Sequence, residues 1–292
     1  MDGELWYGCY RLLRQVQRRC VRTPRVRYGD ARIVEVFLWA VLHDRPVSWA
    51  CHRSHWPAHR RREPLPSCAT MSRRLRRYPV IWTLSLMQAM LRENGEGRWG
   101  RVLDGLPLPV GGCSKDPEAK AGKSSCGIAR GYKVVALTTG DTALNWRLGP
   151  MNLSEPKVAQ QLLTDAAAAG ASGYVLGDKA FDINALHACA AMHGFVLRTY
   201  RRQPGKALGH RRHHPGRVEA IAKLEGRDPF THHLLHYHRT DVERSFAHWG
   251  AFPGGLGPLP RFVRRPRRVA LWVGAKLILH GVHARQRRRK AA

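Results

Sequence analysis

Acidic residues are scarce in this chain: 21 Asp and Glu stand against 50 Lys and Arg, a formal net charge of +29. A protein this basic either binds a polyanion or lies on an anionic membrane. Long hydrophobic runs are absent too. The best apolar segment, Val269 to Val282, is short and contains Lys276, so it does not span a bilayer. No continuous apolar stretch precedes the arginines of the N-terminus, which argues against a signal peptide. The seven cysteines form no CxxC pair, and an odd, scattered set reads as reduced intracellular thiols, with neither a disulfide framework nor a zinc site. These absences leave nucleic acid as the expected partner, in the cytoplasm and associated with the nucleoid, and no membrane.

The first part of the chain reads as helical. Leu5, Leu12, Leu13 and Val16 fit one amphipathic helix. Ile33, Val34, Phe37, Leu38 and Val41 recur at helical spacing over Ala31 to Leu42, with Asp30 as the expected cap. A short helix follows over Ser48 to His52. Ser67 then caps a helix rich in Ser, Thr and Arg, where Arg73, Arg74, Arg76 and Arg77 crowd together. That order is the order of a helix-turn-helix, whose last helix enters the major groove. Val80 to Arg92 reads as a connecting helix.

From about residue 98 the pattern changes. Arg101 to Asp104, Tyr132 to Thr138, Ala143 to Leu148, Gly173 to Leu176 and Phe195 to Tyr200 read as strands, the second and third forming a hairpin. Helices are expected over Ser154 to Ala169, Asp182 to His193, Tyr237 to Trp249 and Arg267 to Arg285, with Asp182 as the N-cap of the second of these. Gly111 to Gly127 and the basic, His-rich stretch Pro204 to Pro229 read as loops. The Gly122-Lys123-Ser124-Ser125 stretch lacks the frame of a P-loop, and the His spacing near 210–238 fits no standard zinc site. The result is a mixed α/β sheet with flanking helices, preceded by a mainly helical region.

Three of the few acids occupy informative places. Asp104 ends the apolar run Val102-Leu103, and Asp178 ends Tyr174-Val175-Leu176-Gly177, where an unpaired carboxylate is costly. Glu243 lies in a helix-like segment. Taken singly, a strand-end Asp is a turn-former and Glu243 is an exposed partner of Arg239 at i−4. Taken together, three carboxylates repel one another unless a cation joins them, and Mg²⁺ suits oxygen ligands. Two such ions, roughly 3.5–4 Å apart, clamp the attacking and leaving oxygens of a phosphoryl transfer. Asp241 competes for the third position. Two residues from Glu243 on a helix, it points about 160° away, so the two do not serve one site.

Val102-Leu103-Asp104-Gly105, Gly131-Tyr132-Lys133, Leu176-Gly177-Asp178-Lys179-Ala180-Phe181-Asp182 and Arg239-x3-Glu243-Arg244-x-Phe246 together resemble the DDE transposases of bacterial insertion sequences. The resemblance spans roughly 98–285. It implies a ribonuclease H-like catalytic domain over 98–292, with a small basic insertion near 201–235, behind a helix-turn-helix-like DNA-binding region over 1–97. It implies that Asp104, Asp178 and Glu243 are catalytic and hold two Mg²⁺ ions, with Mn²⁺ as a substitute. The expected partners are double-stranded DNA, both terminal repeats and target, and a second copy in a homodimer. The expected DNA contacts are Arg73, Arg74, Arg76, Arg77, Lys133, Lys179, Arg239 and Arg244.

One large branch of the family carries Tyr-x2-Arg-x3-Glu-x6-Lys. Here Arg239 and Glu243 fit, but His236 holds the Tyr position, Gly250 holds the Lys position, and Tyr237 is one residue out of register. These departures motivate two alternatives. One is an inactive or domesticated relative that binds DNA without cutting it. The other is a ribonuclease H-like nuclease without strand transfer.

Overall fold

The structure, a computed structural model, describes residues 2–20, 26–92, 100–111, 114–124, 127–140, 142–209, 212–251 and 255–291, without the side chains of 2, 237–239 and 241–242. In chain order the helices are α1 (Asp2–Gln17), α2 (Asp30–Leu42), α3 (Val47–Ala50), α4 (Cys68–Arg74), α5 (Tyr78–Arg92), α6 (Glu155–Ala168), α7 (Asn184–Met192), α8 (Pro215–Glu225), α9 (Pro229–Ala251) and α10 (Pro266–Ala291). The strands are β1 (Gly100–Pro109), β2 (Lys120–Ser124), β3 (Gly127–Thr139), β4 (Thr142–Pro150), β5 (Gly173–Gly177) and β6 (Phe195–Thr199). Two compact units result. One comprises Met1–Asn94 with Trp249–Ala292, and the other Gly95–His248.

The helical unit is built around α2, which is buried from Ile33 through Leu42. A helix apolar all round needs neighbours all round, and α1, α5 and α10 supply them. The face of α1 set by Leu5, Leu12, Leu13 and Val16 is buried, joined by Trp6 and Cys9. Trp6, Trp39 and Trp56 pack edge to face or stacked, with ring centroids 4.9 to 6.0 Å apart. The apolar run of α10 closes this core, although it follows the sheet in sequence. Its Lys276 is buried at 1 % exposure, and Nζ donates to Asp44 Oδ1 at 2.6 Å. Burial lowers the Lys276 pKa and the Asp44 carboxylate opposes that shift. Among the described residues, no helix is long and apolar enough to cross a membrane.

Asp30 does not cap α2. The N-cap position belongs to Gly29 and makes no side-chain cap. Asp30 instead accepts from Arg74 Nη2 at 2.6 Å, because Arg74 lies on the buried side of α4 and needs a counterion there. Ser67 does cap α4, its Oγ accepting from the Thr70 amide at 3.2 Å.

The second unit holds a six-stranded sheet ordered β2-β3-β1-β5-β6, with β4 also paired to β3. β1 runs antiparallel to β3 and parallel to β5, and β5 runs parallel to β6. The sheet is therefore mixed and flanked by helices, as a ribonuclease H-like core requires. Alternation sorts its faces. Leu103, Val135, Leu137, Val175 and Leu197 pack with α6 and α7 on one side. Val102 and Leu176 pack with Leu234 and Phe246 of α9 on the other.

Several elements differ from the sequence reading. α9 begins at Pro229, ahead of the expected Tyr237. β1 continues through Pro107 and Pro109. The amide of Val110 bonds to β3, so by alternation the proline nitrogens face the side where pairing with β5 has already ended. The Gly111 to Gly127 stretch contains β2, an edge strand without apolar alternation. The Pro204 to Pro229 stretch contains α8, and Asp182 anchors it. Asp182 accepts from Arg217 Nε at 2.6 Å, from Arg217 Nη2 at 3.0 Å and from the Arg202 amide at 3.0 Å. It is not the cap of α7, whose N-cap position is Ile183. A buried carboxylate here favours a guanidinium over a helix end. His214 Nδ1 caps α8 by accepting from the Gly216 amide, so this histidine serves the insertion itself.

Candidate active site

The parallel pairing of β1 with β5 stops at Leu103 opposite Gly177. The next residues on the two strands are Asp104 and Asp178, so the acids lie side by side where the strands part. Crevices at the carboxyl ends of such strands are where open α/β sheets place ligands. By alternation both acids belong to the face that carries Val102 and Leu176, the face covered by α9. Backbone amides orient each carboxylate. Asp104 Oδ1 accepts from the Gly105 amide at 2.7 Å, and Asp178 Oδ1 accepts from the Ala180 amide at 2.7 Å. The second bond also caps the 3-10 turn Lys179–Phe181, so Asp178 is both a turn-former and a neighbour of Asp104.

Electrostatics marks the pair. Burial pushes the Asp104 pKa up to about 7; the Gly105 amide works against it, while the charges of Asp178 and Glu155 add to it. A carboxyl that retains a proton near neutrality beside a second carboxyl is a place where a divalent cation relieves repulsion. The donors are hard oxygens, which fit Mg²⁺ or Mn²⁺.

Glu243 lies on α9, exposed to solvent. Phe246, one turn later, packs against the Val102 and Leu176 face, and Ser245 Oγ donates to the Gly140 carbonyl at 2.6 Å. These contacts hold the helix on the acidic side of the sheet. Among the described residues, however, no three His, Cys, Asp or Glu side chains are gathered closely enough to hold a metal ion. Asp104 and Asp178 come together, and Glu243 is not drawn in with them.

The expected DNA contacts divide. Arg73, Arg76 and Arg77 are exposed around the end of α4. Arg73 and Arg77, with Arg27, Ser67 and Thr70, line a polar cleft of about 630 Å³ in the helical unit. Arg74 is spent on Asp30 and on the Tyr28 carbonyl, the latter at 3.0 Å. Lys179 and Arg244 are exposed beside Asp178 and Glu243. The side chain of Arg239, like that of Asp241, lies outside the described residues. Lys133 is 8 % exposed, and its Nζ donates to Glu155 Oε1 at 2.5 Å. The reading of Lys133 as a phosphate contact meets a lysine already occupied by a carboxylate.

Glu155, the first residue of α6, was not legible as part of this neighbourhood. The signal lay in Lys133. A lysine inside Tyr132-Lys133-Val134-Val135, a strand buried on both faces, needs a counterion. Gly131 in the same motif is fixed by close approach, because a Cβ there would run into the Leu108 carbonyl.

Residues 95–278 match the family model described as the transposase DDE domain, a span that contains Asp104, Asp178 and Glu243. No curated protein and no solved structure matches the chain. A match across more than half the chain, on a sheet of this topology, makes the protein a member of the DDE transposase family.

Proposed function

We propose that the protein is the transposase of an insertion sequence, which binds the ends of its element, cuts DNA there and joins the freed 3′-hydroxyl ends to target DNA. The observation that carries this reading is the placement of Asp104 and Asp178 at the ends of neighbouring parallel strands, on the face covered by the helix of Glu243. Asp104, Asp178 and Glu243 would hold two Mg²⁺ ions, or Mn²⁺. When bound, such ions supply Lewis-acid stabilisation of the developing phosphoryl charge and lower the pKa of an attacking hydroxyl.

This chain's own groups do the rest. The Gly105 and Ala180 amides fix the two aspartates before any ligand arrives, which spares reorganisation at the moment of reaction. Lys179, exposed next to Asp178, and Arg244, exposed next to Glu243, would meet phosphate. Arg73, Arg76 and Arg77 bind the DNA backbone through the helical unit, and a dimer of the chain would pair the two element ends. No covalent protein–DNA intermediate is needed, because the sugar hydroxyl is itself the nucleophile of the joining step.

A second reading draws on the exposed position of Glu243 and on His236 and Gly250: a relative that binds DNA without cutting it. The two are separated by incubating the protein with labelled DNA from either side of its own coding sequence and Mg²⁺ or Mn²⁺. Metal-dependent cleavage and joining that disappear in Asp178→Ala support the transposase. Tight binding with no product from the wild-type protein supports the second reading.

A further inference from the structure

The reverse face of the sheet, behind Asp104, carries a lysine–glutamate pair. Gly105, Lys133, Val135 and Leu137 share that face with α6. Lys133 stands two residues before Val135, the register partner of Gly105, and Nζ reaches Glu155 Oε1 at 2.5 Å. The Glu155 carboxyl lies tight against Gly105. A Cβ built on that glycine would come 3.0 Å from Glu155 Cδ and 3.1 Å from Oε1. The glycine leaves room for the carboxylate, next to the peptide whose amide holds Asp104, and a larger residue would push it back by a few tenths of an ångström. Two independent features, the ion pair and the glycine contact, thus seat one negative and one positive charge behind the same aspartate. Both charges act on Asp104, Glu155 adding to the effect of Asp178 and Lys133 opposing it.

We propose that Lys133 and Glu155 are a charge-balanced pair that sets the divalent-cation affinity of Asp104 and Asp178 from behind the sheet. The inference rests on reading those two aspartates as metal ligands. Neither member of the pair is a ligand. Glu155 brings negative potential to the site without adding a donor, and Lys133 limits it, so the site binds a cation firmly without being locked to it. Paired, their charges nearly cancel; unpaired, either one shifts the affinity in its own direction.

The test is Mn²⁺ binding to the full-length protein without DNA, measured by calorimetry or by loss of the free-ion electron paramagnetic resonance signal. Circular dichroism checks that each variant is folded. Glu155→Gln leaves Lys133 unopposed and weakens binding, on the order of fivefold. Lys133→Met leaves Glu155 unopposed and tightens binding by a similar factor. The double variant returns close to wild type, and Lys133→Arg, which keeps the charge, stays there. A purely structural pair would give losses in both single variants and a larger loss in the double. That outcome, or unchanged binding in Glu155→Gln while Asp104→Asn abolishes binding, overturns the proposal. Mn²⁺ binding that survives intact in Asp104→Asn overturns the metal reading itself. If Lys133→Met does not fold, Lys133→Gln takes its place: tighter binding is expected there too, and weaker binding overturns the proposal.

Discussion

Asp104 illustrates how a residue proposed to act in catalysis can oppose stability. Its carboxyl is buried, beside Asp178 and near Glu155, and its pKa is held at about 7. A group whose folded pKa is raised in this way loses favour for the folded state as pH rises from the unfolded value near 4 toward 7. Without a cation the folded chain therefore carries a strained site. Asp104→Asn removes the charge at nearly constant shape. The expected result is a metal-free protein more stable than wild type by about 1–3 kcal/mol at pH 8, with the gap shrinking at pH 5 and on adding Mn²⁺. Thermal unfolding with and without the ion measures it. Asp104 and Asp178 were legible because acids are rare here and both follow apolar strands. The opposite fates of Arg73 and Arg74 were not, because neighbouring arginines on a short helix differ only in which side the core takes. Arg74 went to Asp30 and Arg73 to solvent.

Among the elements, the strands and helices with strong apolar periodicity stand where the sequence puts them, since burial of one face dictates both type and register. α2, the β3–β4 hairpin, α6 and β5 are of this kind. β2 and α8 have no such face. β2 is an edge strand held by β3, and α8 is held largely by polar contacts to Asp182 and by a histidine cap, neither of which has a local sequence signature. The anchor makes α8 sensitive to pH. Burial raises the Asp182 pKa, but Arg217 and the Arg202 amide more than offset it, leaving the carboxyl below the usual range. His187 beside it is pushed down to about 4 chiefly by burial, with Asp182 working against the shift and Arg217 adding to it. Its folded pKa lies below the unfolded value near 6.5, so the neutral ring is favoured in the folded state. Its contribution is present above pH 6.5 and is lost as pH falls from 6.5 toward 4, on the order of 3 kcal/mol. Asp182 adds a second loss only at lower pH, below its unfolded value near 4. Asp104 gains stability over the same pH range, so the loss is read in an Asp104→Asn background, where urea unfolding should weaken from pH 6.5 to 4, and far less once His187→Leu is added. Asp182→Asn, which leaves Arg217 without its partner, should open the 201–228 segment to limited proteolysis.

For the whole molecule, composition was the most direct evidence. A net charge of +29 on 292 residues implies a polyanionic partner before any element is assigned. Less legible was the partition of the chain. The last helix groups with the first five, as expected of an apolar face that completes a core begun far upstream, and no sequence periodicity encodes that choice. DNA affinity should fall steeply with salt. Replacing Arg73, Arg76 and Arg77 by Ala should reduce the slope of log K against log salt by about 0.9 for each phosphate contact removed. Arg74→Ala should leave the slope alone and lower the unfolding midpoint.

The proposed function requires Glu243, which stands apart from Asp104 and Asp178 here, to join them once metal and DNA are bound, and it is most directly tested by single-turnover cleavage of labelled flanking DNA in Mg²⁺ or Mn²⁺. Wild type, Glu243→Gln and Asp241→Asn are compared, with DNA binding measured in parallel. The account predicts that Glu243→Gln binds DNA normally but cuts about a hundredfold to a thousandfold more slowly, the scale expected when an electrostatic group of a catalytic centre is removed. Asp241→Asn should cut within a few-fold of wild type. Cleavage by Glu243→Gln at the wild-type rate would contradict it.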